Sequence, residues 1–426
     1  MGSSQCIKNL QNMSEKKNAL VVAGGPWQVP IIRFLQKKKY FVFVVDPYAS
    51  SPGVVMADGH IRADVRDVES IKRLIAGIQL EIVTGDQSDI VVETVAILAQ
   101  HLGLAGNRLE AVKRFSNKLR SRQYAQEQKI PVPEFIKASN SLEVNAAIAA
   151  LGLPVIFKPV DSQSSRGIFK VDNTNVEKIA ELTSLTLKES KDKLMLVERF
   201  VDGIEVTVEG ICSQRKHRTL AISEKKHFRT GIACDLQYPA ELPFDVEAAI
   251  IRYNDQYVEN SGLDFGITHA EYLYDSKTNK IYLIEIACRG GGTLISSDIA
   301  KWVSGIDLYE ILFNDLIGIP ADIKSLAILK RHAWLHFFEF PNGTVNEIKG
   351  LEEIAAMPGI RLIRLEFKKG DQIEAAKDDR SRQGFVIILA KSKAELENKL
   401  AAVKETLIIR VSTEQMSIAS ARMYDV

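Results

Sequence analysis

Cysteine is scarce in this chain, and what little there is excludes a good deal. Cys6, Cys212, Cys234 and Cys288 form no CxxC pair and no zinc-ligand spacing. Free thiols are the expectation, and with them a reducing compartment, the cytoplasm. Charge of one sign is lacking too, because 55 basic and 54 acidic residues leave a net +1. That balance gives no overall drive toward nucleic acid or an anionic membrane. No apolar run approaches the length of a membrane span or a signal-peptide core. Low-complexity tracts and internal repeats are missing, as is a GxxxxGK[ST] phosphate loop. No serine or cysteine stands beside a partner base as a nucleophile would.

What is present is the texture of a soluble multidomain protein. Hydrophobic residues make up 46% and charged ones 26% of 426 positions, too many for one core. Residues 1–18 are polar and read as a flexible leader. From 19 to 109, apolar strands (19–23, 40–45, 82–84) alternate with helical patterns (28–39, 67–77, 89–102), which predicts a parallel sheet covered on both faces. A charged helix over 110–128 ends at "KIPVPEF", where Pro131 and Pro133 forbid its continuation. Residues 110–328 then mix strands, hairpins and helices, an α+β pattern with strands at 134–138, 154–158, 166–171, 194–199, 204–213, 219–226, 267–275 and 280–287. Residues 329–426 predict a smaller α+β cap, with strands near 331–340, 360–366 and 384–390 and helices at 351–356 and 393–406.

Three stretches carry candidate chemistry. In "PVIFKPVDSQSSRGI" a lysine, Lys158, ends an apolar strand and a loop containing Ser164, Ser165 and Gly167 follows. An ammonium and small residues suit a polyphosphate, since backbone N–H groups can approach its oxygens. Taken alone, the stretch reads better as a surface lysine at a strand end. In "LMLVERFVDGIEVTVEG" a strand ending at Glu198 meets a second opened by Glu205. Such a hinge exposes backbone to an adenine ring and a carboxylate to ribose hydroxyls, though a plain β-hairpin with exposed acids fits as well. In "ITHAEYLYDSKTNKIYLIEIACRGGG" a hairpin with a five-residue loop sets Glu271 opposite Glu285. Two carboxylates sharing one face of an apolar ladder call for a cation between them, and Mg²⁺ prefers such oxygen ligands. Arg289 then leads into Gly290, Gly291 and Gly292, where it could hold a phosphoryl group or a substrate carboxylate. His269 shares the face of Glu271 and is either a packed residue or a substrate contact.

The order of these elements, lysine strand, hinge, paired glutamates and arginine loop, resembles the ATP-grasp superfamily of the carboxylate–amine ligase type. The likeness runs from about 19 to 410 and implies three parts: a Rossmann-like pre-ATP-grasp domain, an ATP-grasp core and a C-terminal α+β domain. Position by position, it implies that Lys118 and Lys158 bind phosphate and that Ser164 and Ser165 belong to a loop closing over it. It assigns Glu198, Arg199, Phe200 and Val201 to the adenine hinge and Glu205 to the ribose. Glu271 and Glu285 become magnesium ligands, with Mn²⁺ as a substitute. Arg289 and Lys158 become catalytic, and His269, Arg289 and Gly290 to Gly292 face the substrate. One departure stands out, because the asparagine that the family commonly carries two residues after the second glutamate is Ala287 here.

The stretch "KKGDQIEAAKDDRSRQGFVIILAKSKAELENKL" is similar to L-amino-acid ligases and biotin-carboxylase-like enzymes. The resemblance implies an ATP-dependent ligase that makes an acyl phosphate and lets an amine attack it, releasing ADP and phosphate. Its partners would be small carboxylates and amines, with neither nucleic acid nor membrane involved, and dimers are common among similar proteins. Two other readings stay open, a bicarbonate-activating enzyme of purine or biotin type and a nucleotide-binding protein without catalysis. A fourth, dinucleotide binding at Gly24 and Gly25 with Asp46 as the ribose acid, meets a "GGPWQVP" turn without the third glycine.

Overall fold

The computed structural model describes residues 17–162, 165–229, 231–379 and 381–412, together with the backbone of Ile418–Ala421. Most of the expected leader lies outside these residues, and so does Ser164.

The first unit is a four-stranded parallel sheet, in the order Gly59–Ile61, Phe41–Val45, Asn18–Val22 and Leu80–Thr84. Its central strand alternates between two cores. Ala19 and Val21 face the helix Val29–Lys37 through Ile31, Ile32 and Leu35, while Leu20 and Val22 face Ile71, Ile75 and Leu98 on the other side. That two-sided burial is why the strand reads as continuously apolar. The dinucleotide reading fails here for a structural reason. Asp46 is buried, accepts the Gly24 N–H at 2.9 Å, and also takes Tyr48 N–H and Ser51 Oγ. The acid that would hold a ribose is consumed by its own turn.

The charged helix expected over 110–128 is two helices, Leu109–Ser116 and Lys118–Glu127. Asn117 between them is extended, with φ −127° and ψ 118°, and its side chain caps the second helix by accepting the Arg120 N–H. The break makes Lys118 a first-turn residue. Its backbone N–H reaches Val160 O and its side chain is buried.

Two sheets follow. The smaller is antiparallel, in the order Phe135–Ala138, Met195–Arg199, Val155–Pro159 and Phe169–Val171. Its last strand is shorter than the expected 166–171, since Ser165 and Gly167 take positive φ and turn the chain first. The larger sheet has eight strands: Lys280–Ala287, Gly266–Asp275, Ile204–Ser213, Lys216–Arg229, Ile232–Tyr238, His332–Phe337, Gly384–Ala390 and Ile360–Leu365. Three strands of the expected cap therefore continue the core sheet. Its remaining strands, Gly343–Lys349, Gln372–Ile373, Ile408–Ser412 and Ile418–Ala421, form a fourth sheet. Met195–Arg199 and Ile204–Ser213 belong to different sheets, so the segment between them is an inter-sheet crossing and not a β-hairpin.

Candidate active site

The crossing at 200–203 leaves a cleft of about 960 Å³ between the two sheets, bordered also by residues of the first unit and of the C-terminal strands, which meet through Trp27 and Phe385. It is lined by Lys118, Lys158, Ser165, Glu198, Arg199, Phe200, Val201, Glu205, His269, Glu271, Glu285, Arg289 and Gly292.

At one wall Glu198 is buried between two cations. Its Oε1 accepts Arg122 Nε at 2.7 Å, and its Oε2 lies 2.9 Å from Lys158 Nζ. Burial opposes this charge, but Arg122 and Lys158 outweigh it and bring the carboxyl pKa down to about 2. The Glu198 side chain is thus a support for Lys158 and is not open to an adenine. In the crossing itself, Arg199 N–H is bonded to Glu134 O and Phe200 N–H to Pro154 O, while the Arg199 guanidinium turns out to Glu134.

The facing glutamates stand where the sequence put them, by a different route. The strands pair Asp275 with Lys280, so the loop is four residues, one shorter than expected. Unrelieved, that register would send the two acids to opposite faces. A bulge between Glu271 and Tyr272 shifts the pairing by one and restores Glu271 opposite Glu285. The carbonyl of the bulged Ile284 is caught by Arg122 Nη2 at 2.6 Å.

Each acid has its own ammonium. Lys118 Nζ lies 3.0 Å from Glu285 and donates to Ser162 O at 2.8 Å. Lys225 Nζ lies 2.7 Å from both Glu205 and Glu271. Burial pushes against ionisation of Glu271, yet Lys225 and His269 hold its carboxyl well below the usual range. His269 is itself gripped by the buried Glu209 at 2.6 Å. Burial would lower its pKa, but Glu209 and Glu271 raise it to about 9.

Among the described residues no group of three or more carboxylate, histidine or cysteine side chains stands ready to bind a metal alone. Glu271 and Glu285 supply two hard oxygen donors on one face, with Ala287 adding none. Such a pair fits Mg²⁺ that keeps water and takes phosphate oxygens for its other positions.

The arginine loop is fixed from the first unit. Asp89 holds Arg289 Nε at 2.9 Å and Nη2 at 2.7 Å, and Arg289 Nη1 donates to Gly290 O. Asp86, from the same loop, accepts the Gly290 N–H at 2.7 Å, Ser296 Oγ and the Tyr309 hydroxyl. Gly290 and Gly291 are buried and are not among the residues that line the cleft. A side chain at Gly290 would meet Ser296 Cβ at 2.3 Å, which explains the glycine by packing. Sequence reasoning missed Arg122, Lys225, Glu209, Asp86 and Asp89. For Lys225 a signal existed, since it pairs directly with Glu205 across the ladder. For Asp86 and Asp89 the signal is a polar loop at the carboxyl end of a parallel strand, where open α/β sheets place their sites.

Residues 151–298 match the ATP-grasp domain, and residues 336–412 match "L-amino acid ligase C-terminal domain 2". An L-arginine-specific L-amino acid ligase of Bacillus subtilis is 25% identical over 370 residues, covering 84% of this chain and 87% of the relative. The crystal structure of an L-amino acid ligase from Bacillus licheniformis superposes with a TM-score of 0.78 at 18% identity, covering 93% of this chain and 99% of the other. The biotin carboxylase domain dimer of Hydrogenobacter thermophilus 2-oxoglutarate carboxylase, in complex with MgADP and bicarbonate, superposes at 0.74 with 16% identity over 92% of this chain and 90% of its own. The chain thus carries an ATP-grasp domain over residues 151–298 and, over residues 336–412, a C-terminal domain of the L-amino acid ligase type.

Proposed function

We propose that this protein is an ATP-dependent carboxylate–amine ligase that forms an amide or peptide bond through an acyl phosphate. The observation that carries the reading is the meeting of Lys118, Lys158, Glu271, Glu285 and Arg289 in one cleft from three separate stretches of chain.

Lys158 and Lys118 neutralise phosphate oxygens, and Glu198 and Glu285 keep both ammonium groups aimed. The purine edge is assigned to the backbone near Val201, the neighbouring N–H groups of Arg199 and Phe200 being spent on Glu134 and Pro154. Glu205 accepts the ribose hydroxyls, and Ser165 closes over the phosphates. Magnesium, held by Glu271 and Glu285, would offset charge on the phosphoryl group in transit. A substrate carboxylate oxygen attacks the γ-phosphorus and ADP leaves. The amine nitrogen then attacks the acyl carbon, phosphate departs, and the nitrogen gives up a proton. Arg289, held rigid by Asp89, presents its positive edge to the developing oxyanion.

A screen of amino acids and small acids for stimulated ADP formation, with mass spectrometry of the product, tests this. An amide or peptide made in step with ADP supports it. ADP formation that instead depends on bicarbonate, with labelled carbon entering the product, replaces it by the carboxylase reading. Tight nucleotide binding with no stimulating acid or amine replaces it by the non-catalytic one.

A further inference from the structure

Lys225 serves two carboxylates at once, and they belong to different tasks. In the larger sheet it stands directly opposite Glu205. Glu271 lies one strand further on, diagonal to Glu205, because its own partner on that strand is Thr207. Alternation sends all three side chains to the cleft face, which they line. Lys225 Nζ reaches Glu205 Oε1 and Glu271 Oε1 at 2.7 Å each. His227 Nε2 stands 3.7 Å from Glu205 Oε2, and His269 Nε2 stands 3.9 Å from Glu271 Oε1. The three side chains of this row keep 12%, 19% and 21% of their surface exposed, so a ligand in the cleft can touch them.

That arrangement bears on how a divalent ion reaches the carboxylates. Lys225 occupies Glu271 Oε1 and Lys118 occupies Glu285 Oε1, which leaves each acid its second oxygen to offer. Across this face three carboxylates, Glu205, Glu271 and Glu285, meet two ammonium groups, an excess of a single negative charge. A bare divalent ion therefore meets repulsion from ammonium groups held within hydrogen-bond distance of its own ligands. A polyphosphate reverses that balance, because its oxygens draw on the remaining N–H donors of both lysines while it carries the ion with it. Lys225 also keeps Glu205 and Glu271 from facing each other uncompensated, where the ribose acid adjoins the metal acid.

We propose that Lys225 is a positioning residue that acts as a resident counter-cation. It holds the ribose acid and the metal acid in one row, repels a divalent ion that arrives alone, and admits the ion as a nucleotide complex. The inference rests on the nucleotide and metal assignments of the ligase reading, and it is measured by binding, apart from turnover.

The test is calorimetric titration of the full chain with Mn²⁺ alone and, separately, with ADP in the presence of a chelator. The proteins compared are the unaltered chain, Lys225→Met and Lys225→Arg. Methionine keeps an unbranched apolar stem and removes the charge. Bare Mn²⁺ should bind Lys225→Met about tenfold or more tightly than the unaltered chain, because the repelling charge is gone. Metal-free ADP should bind it about tenfold or more weakly, since the uncompensated acids then repel the phosphates. Lys225→Arg should bring both affinities back toward the unaltered values. Opposite shifts are the signature, because a lysine that only supports the sheet would weaken both ligands together when removed. Any other pattern, both ligands weakened or either unchanged, overturns the proposal. If Lys225→Met does not fold, Glu205→Gln decides. Lys225 then rests on Glu271 alone, and bare Mn²⁺ should bind about threefold or more weakly although Glu205 is not one of its ligands. An unchanged Mn²⁺ affinity there overturns the proposal. Opposite shifts with no amide product keep this role for Lys225 and remove the ligase reading. An amide product, with Mn²⁺ and ADP affinities indifferent to Lys225→Met, keeps the ligase reading and removes this role.

Discussion

Removing the Glu198 carboxylate is the perturbation with the largest calculable effect. Glu198 is 1% exposed and Arg122 is wholly buried, so their ion pair lies in a low-dielectric interior. Arg122 Nη1 already lacks a partner, which leaves Glu198 and the Ile284 carbonyl as its compensation. Glu198→Ala strands that guanidinium and releases Lys158. Breaking a buried pair from one side costs about 3–5 kcal/mol. At about 1.4 kcal/mol per factor of ten, amide exchange through local opening should accelerate by about a hundredfold or more. The amides to follow are in Val155–Pro159 and Met195–Arg199, paired through Ile156 and Glu198, because a chain of several domains has no single unfolding free energy. Glu198→Gln should fall between, keeping an oxygen for Arg122 while losing the charge. ATP affinity should drop in both variants as Lys158 loses its aim. Exchange rates within a factor of about ten of the unaltered protein, with ATP affinity unchanged, would refute the claim that Glu198 is the hub of this wall.

Lys158→Ala leaves Glu198 satisfied by Arg122 and should fold, with the ATP KM rising about tenfold or more; an unchanged KM removes Lys158 from the phosphate site. Asp89→Asn should lower kcat by about tenfold with little change in ATP affinity, because it loosens Arg289 and touches no phosphate ligand. Equal losses in ATP affinity would show that Asp89 acts on the whole cleft. Asp315 has one oxygen on Ser213 and the other buried without a partner, and burial raises its pKa to about 6. The folded state therefore holds that proton more tightly than the unfolded chain, and stability falls as pH rises from the ordinary carboxyl range to about 6. Asp315→Asn should raise Tm at pH 8, with the gain shrinking toward pH 4; a pH-independent difference contradicts the assignment.

The parallel sheet and the facing glutamates were legible because both rest on short-range regularity, apolar continuity in one case and period-two alternation in the other. The glutamate register shows how a correct outcome can hide its cause. The loop is shorter than the sequence suggests, and a bulge invisible to pattern counting compensates for it. The helix break at Asn117 was likewise hidden, because nothing in "RFSNKLRSR" interrupts helical periodicity except the capping asparagine. The residues that aim the site were harder still. Arg122 meets Glu198 across 76 positions and Asp89 meets Arg289 across 200, distances at which local patterning carries no signal. The C-terminal strands were found one by one, but their entry into the core sheet depends on edge pairing between Ile232–Tyr238 and His332–Phe337.

The central claim, that two facing carboxylates and two lysines surround one metal-bound nucleotide, is tested most directly by Mn²⁺ binding, followed by electron paramagnetic resonance with and without ADP. If the described residues supply only Glu271 and Glu285 to the metal, as proposed, Mn²⁺ should bind weakly by itself and much more tightly with nucleotide, and Glu285→Gln should erase that gain. Tight Mn²⁺ binding that ignores both ADP and the Glu285 substitution would place the metal elsewhere and contradict the account.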